Sequence, residues 1–143
     1  MDAALQGQHR IELPPKLSDL LSGGFVDQDG CIFFAEFAKR TSGASRSDFP
    51  DLTGYECFVN HVHIDDYVED ADAATLAAAG VTFAQRLCKL LSARSDEFNI
   101  IVGSDELSCS VRFHRQRPGE AWLSEDLESY RDEAIAVVTT HER

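Results

Sequence analysis

The stretch Tyr55-Glu56-Cys57-Phe58-Val59-Asn60-His61-Val62-His63-Ile64 decides how the rest of the chain is read. With period two, Cys57, Val59, His61 and His63 share one face, and Phe58, Asn60, Val62 and Ile64 share the other. That is the alternation of a β-strand. Beyond it, Asp72 or Thr75 caps a helix running to about Arg94, with Leu76, Gly80, Phe83, Leu87, Leu90 and Leu91 as its apolar stripe. A glycine at position 80 costs the helix ~1 kcal/mol relative to alanine, which points to close packing on a sheet. Phe98 to Val102 and Cys109 to Arg117 then read as a hairpin around Gly103-Ser104-Asp105-Glu106. Ser124 to Arg131 reads as a short helical turn, and Ala134 to Thr140 as the last strand.

On the N-terminal side, Thr41 to Gly54 is a loop by its Ser, Gly, Asp and Pro content. Cys31 to Phe37 reads as a strand opened by the turn Asp27-Gln28-Asp29-Gly30, with a helical reading left open by Ala35, Glu36, Ala38 and Lys39. Lys16 to Leu21, after Pro14-Pro15 and before Gly23-Gly24, is a short helix, and residues 1–12 are a loose tail. The expected fold is α+β. It is one domain over residues 1–143, a mostly antiparallel sheet of about five strands with one long helix packed on it. The strand-helix-strand step over 55–102 admits one parallel pair by a right-handed crossover.

The chain has 143 residues, of which 25 are Asp or Glu and 13 are Lys or Arg, a formal charge of −12. A chain this long removes ~70% of its unfolded surface from water, so neither metal nor disulfide is needed to stabilise it. The acid excess argues against nucleic acid as a partner and favours a cationic one. No apolar run is long enough to span a membrane, and the N-terminus has no secretory pattern. Cys31, Cys57, Cys88 and Cys109 are widely spaced within hydrophobic segments. They read as buried, reduced thiols of a cytoplasmic protein.

Motifs for catalysis are sparse. His61, His63 and Asp65 alternate at a strand end and offer nitrogen and oxygen ligands. The segment resembles the HxHxDH motif of metallo-β-lactamase-like hydrolases, with Asp66 where the last His belongs. That resemblance implies a small metal-dependent hydrolase, the alternative reading. The preferred one has no catalytic residue, no metal and no cofactor, the histidines being hydrogen-bonded by neighbouring acids. Arg115 and Arg117 sit in the one basic cluster, and pairing with Glu120, Glu125 or Glu128 is preferred over anion binding.

Charge placement says more. From Ser47 to Gln85 there is no Lys or Arg, while Asp65, Asp66, Glu69, Asp70 and Asp72 crowd around Tyr67 and Val68. A second acidic run from Glu120 to Glu133 surrounds Trp122, Leu127 and Tyr130. Carboxylates interleaved with aromatics describe a surface that docks a basic partner. The stretch from Phe113 through Trp122 to Tyr130, with Glu133 and a terminal strand, resembles the tail of small bacterial immunity proteins. These are antidotes of contact-dependent growth inhibition and related polymorphic toxin systems. The resemblance implies an inhibitor that binds a cognate toxin domain, often a cationic nuclease. The expected contacts, taken from the charge map, are Asp65, Asp66, Tyr67, Glu69, Asp70 and Asp72, and then Trp122, Glu125, Asp126 and Glu128.

Overall fold

The computed structural model describes residues 12–28, 30–39, 47, 49, 51–69, 71–106, 108–118 and 134–140. Helix α1 (Pro15–Ser22) starts on prolines, whose fixed φ suits a first turn, and stops at Gly23 and Gly24. Gly24 has φ +76°, a left-handed conformation that side-chain-bearing residues avoid. Strands β1 (Phe25–Gln28) and β2 (Cys31–Phe34) form an antiparallel hairpin, followed by the single turn α2 (Ala35–Ala38). Both readings of 31–37 therefore hold, one for each half of the segment.

The expected strand at 55–64 is a correction. Leu52–Val59 is a helix, α3, capped by the Asp51 side chain, which accepts from the Gly54 N–H at 2.8 Å. Only β3 (Val62–His63) is extended, and it leads into a 3₁₀ turn over Ile64–Asp66. Thr53 to Cys57, Val59 and Asn60 are all buried, so the helix has no single apolar stripe to betray it. Its start also takes Leu52–Gly54 out of the expected loop.

Helix α4 (Ala73–Leu91) begins where Asp72 accepts from the Thr75 N–H at 2.8 Å and ends three residues before Arg94. It packs on strands β4 (Phe98–Ser104) and β5 (Cys109–Arg115), which form the expected hairpin, and on β6 (Ala134–Thr139). The sheet order is β3-β5-β4-β6 and every ladder is antiparallel. The parallel pair is thus not formed. β3 and β4 run the same way, but β5 lies between them and hydrogen-bonds to both. The architecture is α+β, with a long helix on an antiparallel sheet and a separate two-stranded hairpin beside it. No described helix is long and apolar enough to cross a membrane.

Phe34 sits at the centre of the main core, with Phe25, Phe37, Phe83 and Phe113 around it at ring-centroid distances of 5.1–6.1 Å. A second, smaller core of Cys31, Phe33, Tyr55 and Val59 lies on the other side of β2. Burial on both faces is why Cys31 to Phe34 reads as an unbroken apolar run. No disulfide joins the four cysteines.

Gly80 meets the sheet as its sequence position implied. A Cβ there would collide with the Cys109 sulfur. Gly80→Ala is therefore expected to destabilise by about 1–3 kcal/mol, outweighing the gain in helix propensity. In a urea-denaturation double-mutant cycle, Cys109→Ala should recover most of that loss.

Candidate functional site

Three constellations are built by this fold, and their geometry separates structural chemistry from surface chemistry. The first is centred on Glu56, which is fully buried. One carboxylate oxygen accepts from the Ile32 N–H at 2.6 Å. The other accepts from the Arg115 N–H at 2.6 Å and from Arg117 Nη1 at 2.9 Å. One turn later Asn60, also fully buried, accepts from the Phe34 N–H at 3.1 Å and donates to the Ile32 carbonyl at 2.8 Å and the Phe113 carbonyl at 3.4 Å. Arg117 further donates to the Thr53 hydroxyl at 3.2 Å and the Gly30 carbonyl at 3.0 Å. Every polar atom of the pair is committed to main chain or to an internal partner, so this cluster holds the fold rather than offering a reactive group.

The arginine partners differ from those expected. Arg117 pairs with Glu56 and Arg115 with Asp96 at 3.2 Å. Glu120, Glu125 and Glu128 lie outside the described residues, as do Trp122, Asp126 and Asp70. Buried His114 donates its Nδ1 proton to the Arg115 carbonyl at 2.7 Å, and burial lowers its pKa from the usual value.

The second constellation is the histidine pair. His61 and His63 lie with ring centroids 4.1 Å apart, and Arg112 Nη2 is 2.9 Å from His61 Nε2. A guanidinium has only donors, so Nε2 is the acceptor and its lone pair is already used. Asp65, the third member of the expected ligand set, accepts from the Cys109 N–H at 3.1 Å. No group of three or more metal-ligating side chains occurs among the described residues. Desolvation, then Arg112, then His63 push the His61 pKa down to about 4. Burial likewise raises the Cys57 thiol, and Cys109 is pushed up to about 12, so neither supplies a ready thiolate.

The third is an open groove of about 680 Å³ lined by Lys16, Asp19, Leu20, Glu36, Asp66 and Tyr67. Its acids come from α1, α2 and the 3₁₀ turn, and all three are exposed. Tyr67 is partly buried against the main core, which holds it in place as part of the wall. Of the expected contact residues, the structure brings only Asp66 and Tyr67 here. Asp65 and Asp72 are tied to main-chain N–H groups, and Glu69 is exposed outside the groove. Asp19 and Glu36 were missed. The one local signal was Lys16, Asp19 and Leu20 at helical spacing on α1.

Comparison with known proteins adds a family. The model of the Uncharacterized protein PM0498 family matches residues 1–143. The chain belongs to the PM0498 family. One relative, Uncharacterized protein PM0498 of Pasteurella multocida (strain Pm70), is 46% identical over 68 residues, which cover 43% of this chain and 41% of that protein. The match thus spans less than half the length of this curated relative. No solved structure matches.

Two outcomes follow for this PM0498-family chain. Glu56→Ala should cost about 3–5 kcal/mol in urea unfolding, because Arg117 and two N–H groups lose a buried acceptor. Glu56→Gln, which keeps one acceptor oxygen, should cost less. For His61, the unfolded chain binds the proton near pH 6.5 and the folded one only near pH 4. Its stabilising contribution is therefore complete above pH 6.5 and is lost as pH falls through that window. Thermal melts should show wild type losing more stability than His61→Gln between those two pH values.

Proposed function

We propose that this protein is a binding protein of the immunity kind, a cytoplasmic antidote that covers the cationic surface of a cognate toxin domain, a nuclease being the type that fits best. The observation that carries the reading is the convergence of Asp19, Glu36 and Asp66 from three separate segments around Tyr67 in one groove. An acidic run along a chain is usually a solvated face, but here three acids from distant segments gather around a held aromatic in one concave surface, where they outnumber the single lining cation, Lys16. Such a surface concentrates field lines and raises association rates with a cationic partner by ~10 to 10³ at low salt. The net charge of −12 acts in the same direction and disfavours nucleic acid itself. The reading needs no cofactor and no catalytic residue. The hydrolase alternative loses its motivation, because Arg112 and the Cys109 N–H already hold His61 and Asp65.

The test is calorimetric titration with the C-terminal domain of the secreted protein encoded directly upstream. Binding should weaken with salt, and Asp19→Lys combined with Asp66→Lys should cost at least about tenfold in affinity while leaving the melting temperature unchanged. Absence of such a gene, absence of binding, or unchanged affinity in the double variant would overturn the proposal.

A further inference from the structure

The outer side of α4 carries a feature of the opposite sign. Arg86, Lys89 and Leu90 are all exposed there, Leu90 at 42%. Elsewhere the described arginines are engaged: Arg94 on Asp27, Arg115 on Asp96, Arg117 on Glu56 and Arg112 on His61. Among the described residues, neither Arg86 nor Lys89 has such a partner. Spaced three apart on one helix, they project side by side. Between them and α1 runs a groove of about 450 Å³, floored by Leu21 and Leu90 and edged by Ser18 and Ser22. On their other side is a cavity of about 230 Å³ lined by Thr82 and Gln85 together with the same two cations. Gln85 Oε1 is sealed from solvent, with no hydrogen-bond partner among the described residues.

We propose that this groove docks an acidic, aliphatic-bearing segment of a partner protein. Its carboxylates meet Arg86 and Lys89, and its apolar side chain packs on Leu21 and Leu90. Charge complementarity selects the acidic character, and exposed Leu90 selects the apolar anchor. A small inorganic anion would satisfy the cations but leave Leu90 in water. A second copy of this chain fits poorly, because its acidic groove is itself concave and two concave surfaces do not interlock. The inference goes beyond the proposed function. α1 separates the two grooves, presenting Lys16, Asp19 and Leu20 to one and Ser18, Leu21 and Ser22 to the other.

The probe is a fluorescein-labelled peptide of Glu-Leu-Glu-Glu-Leu repeats, followed by anisotropy with the full chain at about 50 mM salt, where surface charge is weakly screened. Saturable binding is expected, weakened at least about tenfold by Arg86→Glu with Lys89→Glu and also weakened by Leu90→Ser. Asp19→Lys with Asp66→Lys should not weaken the peptide. Four results would each overturn the inference: no saturable binding, full binding by the Arg86/Lys89 variant, displacement by equimolar inorganic phosphate, or a change in that variant's sedimentation showing that the patch joins two copies.

Discussion

Two side chains one helical turn apart, Glu56 and Asn60, do the work of a missing strand. β2 ends one sheet and β5 has only the two residues of β3 beyond it, so the N–H groups of Ile32, Phe34 and Arg115 and the carbonyl of Phe113 face each other across a gap. Left unpaired in a buried seam, each would cost ~1–3 kcal/mol. The carboxylate and carboxamide fill the gap with acceptors and donors at matching spacing. Arg117 balances the buried negative charge while reaching the Gly30 carbonyl in the hairpin turn. The hairpin, α3 and the main sheet are thereby joined into one body with two cores.

That arrangement explains which parts of the fold could be read from sequence. The α4 helix announced itself through the Asp72 cap, its apolar spacing and the anomalous Gly80, and the hairpin at 98–115 through β-branched runs around a turn. Each of these is a local signal. Leu52–Val59 could not be recognised that way, because a helix wedged between two layers is buried nearly all round. Its polar residues also answer to main-chain groups on distant strands. Over so short a window, the alternation of Cys57, Val59 and His61 imitates a strand by chance. A long strand at 55–64 would allow a parallel pair with 98–102, but the two-residue β3 is separated from β4 by β5.

The surface was legible to a lesser degree. Clustering along the chain found Asp66 and Tyr67, but it also counted Asp65 and Asp72, whose carboxylates are spent on main-chain N–H groups. Asp19 and Glu36 join the groove only because α1 and α2 pack beside the 3₁₀ turn, a tertiary fact that no charge run encodes. Likewise the bases read together at 112–117 turn inward, while Arg86 and Lys89, unremarkable in sequence, form the exposed cationic patch. α1 lies between surfaces of opposite sign, so its placement by the core shapes both.

Native-state hydrogen exchange at the amides of Ile32, Phe34 and Arg115 tests the seam most directly. If Glu56 and Asn60 close it as described, these amides exchange only with global unfolding, at free energies within about 1 kcal/mol of the most protected residues of β4. Rapid exchange at all three, with β4 still protected, would show that the hairpin opens from the sheet independently and would contradict the account.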